Sequence, residues 1–208
     1  DRLPAKRVKP NPIDPRARRL LFTPAESWVA ELRLIAEVDR AHVTMLASRE
    51  LIPRAEAIQL LRAIDRLDAD NFELLHTRAS TRGLYLLYED HLIASEGAAV
   101  GGLLQTARSR NDLNATTFKL ALRRPFARVL LALLRLQADL LARARTFAAI
   151  LMPTYTHGQP ATPGTLGHYL AGVAQALGRD IQGLLDAARD LDRSPLGAGA
   201  AGGTSVPI

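Results

Sequence analysis

The chain has 208 residues, of which 48% are hydrophobic and 23% charged, and this composition excludes a disordered protein and a fibrous repeat. It has no cysteine, which excludes disulfide scaffolds, Cys-ligated zinc and cysteine nucleophiles. Of 27 basic and 21 acidic side chains, seven and two lie in residues 1–19, so the remaining chain is nearly neutral. This distribution argues against nucleic-acid binding, and no apolar run is long enough to span a membrane.

The first half of the chain is predicted to begin with a basic, proline-rich arm or linker at residues 1–21. Low aromatic content and the absence of alternating apolar residues favour helix over sheet. Apolar residues at spacings of three and four predict three helices, at residues 24–49, 54–67 and 82–94. Gly97, Gly101 and Gly102 then predict a loop, followed by a polar connection.

The second half carries two long apolar stripes, from Phe126 to Phe147 and from Leu166 to Leu191. They predict two helices of about 30 residues each, or about 45 Å at the standard rise. Pro125 is expected to kink the first of them or to restart it. Long helices with a narrow apolar stripe pack in bundles, often between subunits. The predicted fold is therefore all-α.

A polar segment, Thr-Ala-Arg-Ser-Arg-Asn-Asp, occupies residues 106–112. Ser109, Arg110 and Asn111 suit recognition of a carboxylate, because they offer a bidentate guanidinium and two neutral donors at a helix start. In the other interpretation, Arg108 and Arg110 are surface charges and the neighbouring polar residues only cap the next helix. Asp112 is assigned to capping in both cases.

A second polar segment, Met-Pro-Thr-Tyr-Thr-His-Gly-Gln-Pro, occupies residues 152–160 and is predicted to be a loop between the long helices. A lone histidine in such a loop is usually an exposed residue without a special role. Nowhere in the sequence do histidine and acidic residues have the spacing of metal ligands, so no metal site is predicted.

Together with residues 195–204, these segments resemble the T-G-R-S-R-N-D, M-P-G-Y-T-H-L-Q and P-L-G-S-G-A-x-x-G-T stretches of argininosuccinate lyase, a member of the fumarase/aspartase superfamily. The order and spacing match over residues 22–208. The resemblance implies an N-terminal helical domain at 22–105 and the first part of a long-helix bundle at 106–208. It also implies a cytoplasmic homotetramer in which three subunits build each active site.

The activity implied by the resemblance is carbon–nitrogen lyase chemistry on a small aspartate adduct, most simply argininosuccinate, which yields arginine and fumarate without a metal or other cofactor. By the match, His157 takes part in proton transfer to the leaving nitrogen and Thr156 binds a substrate carboxylate. Gln159 binds substrate or orients the histidine. The sequence departs from the family at Tyr85 and Gln105, where most members have histidine.

The superfamily also carries a Gly-Ser-Ser-x-x-Met-Pro-x-Lys-x-Asn loop, whose serine is taken as the catalytic base, and nothing in the 208 residues matches it. The chain is therefore expected to be a fragment of a longer lyase, or to work with a second chain. The alternative is a non-catalytic helical oligomerisation module, for which the proline-rich arm would serve as an interdomain linker.

Overall fold

A computed structural model describes residues 28–76 and 83–208, so the predicted arm at 1–21 lies outside the described residues. These residues form two compact units, one of residues up to Ser109 together with 199–208, the other Arg110–Ala198. The predicted all-α fold is confirmed in that the described residues are mostly helical, with one small two-stranded sheet in addition. Within the described ranges, no helix is both long and apolar enough to cross a bilayer. The elements, in chain order, are α1 (Trp28–Ser48), α2 (Arg54–Ala69), α3 (Glu73–His76), α4 (Leu84–Glu96), α5 (Ala98–Gly101), a 3₁₀ helix (Gly102–Gln105), α6 (Arg110–Thr146), β1 (Leu151–Thr156), β2 (Gln159–Thr165) and α7 (Leu166–Leu191).

The first unit is a cluster of helices around an apolar core built mainly by α1, α2 and α4. Its fully buried side chains recur at helical spacing, as the sequence pattern predicts; they include Leu32, Leu46, Leu60, Ile64 and Leu92. At the edge of this core Arg40 of α1 joins two acids of α2, Asp65 and Asp68, at 2.8 Å each. The apolar stripes and this pairing together fix α1 against α2.

The segment from Gly97 to Gly102 contradicts the prediction of a loop, because it forms α5 and leads into the 3₁₀ helix. The reason is close packing at Gly101: a Cβ atom there would lie 2.6 Å from the Cα of Ile93 and 2.9 Å from the carbonyl oxygen of Leu92. Glycine has a low intrinsic helix propensity, but because it has no side chain, Gly101 allows the short helix α5 to pack directly on α4.

The second unit contains the two long helices, α6 with 37 residues and α7 with 26. They run antiparallel, since Gly167 lies against the end of α6 while Lys119, near its start, reaches the end of α7. The Nζ of Lys119 donates to the carbonyl oxygens of Asp190 at 2.6 Å and Arg193 at 3.0 Å. Asp190 lies in the last turn of α7 and Arg193 two residues beyond its end, so a cation from α6 caps the negative end of α7.

Pro125 was expected to kink or restart this helix; it does not restart it, because α6 continues through this residue. Proline has no N–H for the carbonyl of Ala121, one turn earlier. Because Ala121 is exposed, water can satisfy this carbonyl, and the helix loses only one hydrogen bond.

Residues 151–165 form an antiparallel hairpin rather than the predicted loop. Its two-residue turn consists of His157 at φ 50° and Gly158 at φ 72°, the backbone of a type I′ turn. The Thr154 and Thr162 hydroxyls meet across the strands at 2.7 Å. Prolines hid this hairpin in the sequence, but both strands are edge strands, where proline is tolerated.

Two glycines of α7 provide a matched test of the close packing between α7 and the end of α6. A Cβ atom at Gly167 would lie 2.5 Å from the Ala144 carbonyl oxygen and 2.6 Å from the Ala148 Cα, whereas nothing lies within 4 Å at Gly172. We expect Gly167→Ala to lower the free energy of unfolding in urea by about 1–3 kcal/mol, through overpacking. Gly172→Ala should raise it by about 0.5–1 kcal/mol, through helix propensity. Equal effects of the two substitutions would rule out the close approach.

Candidate active site

The predicted carboxylate-binding residues lie where α6 begins. Ser109, half-exposed, immediately precedes this helix, and Arg110 and Asn111 are exposed in its first turn. The first turn of a helix has backbone N–H groups without helical partners and a partial positive charge, both of which favour an anion. The exposure of Arg110 and Asn111 leaves their side chains accessible to a ligand.

Arg108 differs sharply from Arg110, and its interpretation as a surface charge is wrong. Its side chain is fully buried, with 0% exposure, and its Nη1 lies 2.6 Å from a carboxylate oxygen of Asp39, which is equally buried. Its Nη2 donates to the Tyr85 hydroxyl at 3.1 Å, and its Nε donates to Gln105 Oε1 at 3.1 Å. Tyr85 and Gln105 therefore both contact this guanidinium.

Burial dominates the electrostatics of this cluster. It raises the pKa of Asp39, although the Arg108 guanidinium acts in the opposite direction. Burial also works against the charged form of Arg108, but the attractions and hydrogen bonds of Asp39 and Tyr85 together outweigh it, so the guanidinium pKa is raised. The Tyr88 hydroxyl has a pKa well above its usual value because of burial and the nearby Asp39 carboxylate. Arg108 is thus firmly cationic, and Asp39 bears the cost of desolvation.

The backbone around Arg108 is held from α1 as well. His42 lies one turn after Asp39 on that helix, and its Nε2 donates to the Thr106 carbonyl oxygen at 2.9 Å. Between the two anchored residues, Ala107 has a φ of 62°, a left-handed conformation that costs a non-glycine residue about 1–2 kcal/mol. Several side-chain contacts therefore hold the segment 105–109 in an unfavourable backbone conformation.

Asp112, expected only to cap α6, has a partner far along the chain. Its side chain is 3% exposed, and its Oδ2 accepts a hydrogen bond from the Gly197 N–H at 3.1 Å. This contact joins the motif at the start of α6 to the one that follows α7. No local signal could have predicted it, because the two residues are 85 positions apart.

The residues predicted to act on the leaving group lie together at the tip of the hairpin. Thr156 and Gln159 are paired across the strands, and His157 occupies the first position of the turn between them. All three are exposed. The turn thus presents a hydroxyl, an imidazole and an amide at one point on the surface of the second unit.

Within one chain the hairpin tip and the start of α6 are well separated. The 37 residues of α6 span about 55 Å, and the hairpin begins five residues after its end. Strands of this length reach only about 20 Å, too short to fold back to Arg110. The structure therefore does not bring Arg110 and Asn111 to His157 within a single copy.

No group of three or more histidine, cysteine, aspartate or glutamate side chains in the described parts of the chain is arranged to hold a metal ion. The exposed His168 has a local role for its backbone, since its N–H donates to the Thr165 hydroxyl at 3.1 Å and thereby caps α7.

Comparison with known proteins identifies the family to which the chain belongs. A family described as lyase matches residues 44–208, most of the chain and all three polar motifs. The chain belongs to this lyase family. Among curated relatives, the lyase chain is 35% identical over 173 residues to argininosuccinate lyase 2 of Agrobacterium fabrum, and 39% identical over 171 residues to argininosuccinate lyase of Natronomonas pharaonis. Both alignments cover 82% of the lyase chain and 34% of the relative.

A solved structure of EDDS lyase in complex with formate has the same fold, with a TM-score of 0.73 and 29% identity. The match covers 87% of the lyase chain and 35% of that structure. The superfamily recognised in the sequence is thereby confirmed, and the lyase chain spans about a third of the length of the curated relatives it matches.

Proposed function

We propose that this lyase chain contributes to a carbon–nitrogen lyase that eliminates fumarate from an N-substituted aspartate, argininosuccinate being the favoured substrate. The observation that carries the proposal is that one helical unit has both an accessible helix start with anion-binding groups and, elsewhere, an exposed Thr-His-x-Gln turn. The identity to argininosuccinate lyases of two organisms supports the substrate.

Elimination begins when a base removes a proton from the carbon next to a carboxylate. The electron pair moves into that carboxylate, and negative charge accumulates on its two oxygens. Arg110, Ser109 and Asn111 would stabilise this charge, because preorganised donors at the site of developing charge lower the barrier most. The carbon–nitrogen bond then breaks as the carbon–carbon double bond of fumarate forms.

The departing nitrogen must receive a proton, and His157 would take part in that transfer. His157 lies in a two-residue turn between the paired residues Thr156 and Gln159, and this turn fixes the backbone position from which the imidazole extends. Thr156 would bind a substrate carboxylate and Gln159 would orient the imidazole or bind substrate. Neither step calls for a metal or other cofactor.

Separation of the two groups of residues favours a site shared between copies. The span of α6 keeps Arg110 and His157 apart in one chain, so a complete site would draw its residues from different chains. Exposed apolar side chains along α6 support association, because large apolar surfaces mark interfaces; they include Val129, Leu131, Leu134 and Leu136. We propose a cytoplasmic homo-oligomer, a tetramer by family resemblance.

The test is ultraviolet detection of fumarate when argininosuccinate is offered to the 208-residue chain and to the longest polypeptide that contains it. Fumarate from the longer polypeptide alone would support the proposal and assign the base to residues outside this chain. Fumarate from the 208 residues would support it and place the base among them. Stable oligomers that yield no fumarate from either would overturn it in favour of the non-catalytic assembly module.

A further inference from the structure

We infer that Arg108 is a positioning residue of the proposed lyase: its buried pairing with Asp39 fixes the segment 105–109 that presents Ser109. The inference rests on the proposed function, since Ser109 is there assigned to a substrate carboxylate. It gives two arginines of one short motif opposite tasks, with Arg110 facing the ligand and Arg108 facing the protein interior.

The first argument is that each nitrogen of the buried Arg108 guanidinium already has a protein partner. Nη1 is taken by Asp39, Nη2 by the Tyr85 hydroxyl and Nε by Gln105 Oε1. The side chain is 0% exposed, so a substrate carboxylate has no route to it without rearrangement. A guanidinium whose three nitrogens all contact protein groups has a structural role rather than a substrate-binding one.

The second argument concerns the backbone that this guanidinium supports. Ala107 lies in the left-handed region at φ 62°, directly between Thr106, held by His42, and Arg108. Strained backbone persists only where its surroundings determine it. Asp39 and His42, three residues apart on α1, supply that constraint from one helix face. Loss of the ion pair should let the segment relax and move Ser109.

Lysine cannot replace this arginine, because a single ammonium group cannot satisfy three acceptors in a planar arrangement. Three substitutions in the polypeptide that makes fumarate therefore test the inference: Arg108→Lys, Asp39→Asn and the combination of both. Tyr85→Phe, which deletes one hydroxyl, is a milder fourth variant should the ion-pair variants fail to fold. Arg189→Lys, which alters an exposed pair with Asp186 on α7, is the matched control.

Loss of folded protein lowers the maximal rate without changing KM, whereas displacement of Ser109 weakens substrate binding. We expect KM for argininosuccinate to rise about tenfold in Arg108→Lys and in Asp39→Asn, the effect of losing one hydrogen bond to a charged group. The double variant should lie within about twofold of the worse single variant, because both remove the same constraint. Tyr85→Phe should raise KM by less, and Arg189→Lys should leave it unchanged.

Amide hydrogen exchange over residues 105–109 gives a second readout that does not depend on turnover. Faster exchange in both single variants supports the anchoring role even if the wild type makes no fumarate, an outcome that would refute the proposed function alone. Unchanged exchange in both variants would overturn the inference. So would a raised KM in Arg108→Lys with a normal KM in Asp39→Asn, since Arg108 would then act without its partner.

Discussion

Replacement of His157 by asparagine is expected to slow fumarate formation from argininosuccinate by about 100–10,000-fold, the usual contribution of a proton-transfer group. The polypeptide assayed is the one in which the wild type makes fumarate. Asparagine is chosen because His157 has a φ of 50°, a backbone region that asparagine tolerates better than alanine. The exposed imidazole contributes little packing, so the melting temperature should stay close to that of the wild type.

The control for this variant is His168→Asn, because His168 is also exposed and lies in the same unit. Its cap on α7 is made by the backbone N–H and survives the change. Steady-state turnover of His168→Asn should match the wild type. Full activity in His157→Asn would remove this imidazole from the mechanism.

Replacement of Arg108 by methionine is expected to lower the free energy of unfolding by about 3–5 kcal/mol, because it leaves the buried Asp39 carboxylate without its counter-charge. The double variant Asp39→Leu/Arg108→Met should recover most of this loss, since an apolar pair leaves no buried charge. Arg189→Met, at an exposed ion pair, should cost less than about 1 kcal/mol. Urea unfolding at fixed pH measures all three.

The same variant should respond to pH in a defined direction. Burial raises the pKa of Asp39 in the folded state above its ordinary value, so the folded chain holds this proton more tightly than the unfolded chain. The stabilisation from Asp39 is therefore fully present below the pKa of the unfolded chain and is lost as the pH rises through the folded pKa. Without Arg108 the folded pKa of Asp39 rises further, so the deficit in the free energy of unfolding relative to the wild type should shrink as the pH is lowered from neutral toward the ordinary pKa of aspartate. A deficit that grows on acidification would contradict the assignment.

Local pattern predicted the helices well because their apolar spacing and their burial coincide. The helix expected at 54–67 is observed at Arg54–Ala69, and the one expected at 82–94 at Leu84–Glu96. Prediction failed where a distant contact outweighed local propensity. Gly101 forms helix because α4 lies against it, and the hairpin forms despite prolines because both strands are edges.

The candidate site divides in the same way. Its residue types could be recognised in the sequence, and their roles there remain proposals. What the sequence could not provide was the difference between Arg108 and Arg110, which are two positions apart in one motif. The difference depends on Asp39, 69 residues earlier in the chain, and only the folded first unit brings that carboxylate to Arg108. The Asp112–Gly197 contact was hidden for the same reason.

The contacts near the two ends of α6 fix the number of residues that can lie between them. Lys119 is tied to the last carbonyls of α7, and Ala144 lies against Gly167 at its first turn. One extra residue anywhere between Lys119 and Ala144 would shift one end by about 1.5 Å and rotate it by about 100° relative to the other. Both attachments could not then be kept. Evolution of this helix pair is thus open to exchange of side chains but closed to changes of length, unless matched insertions arise in both helices at once.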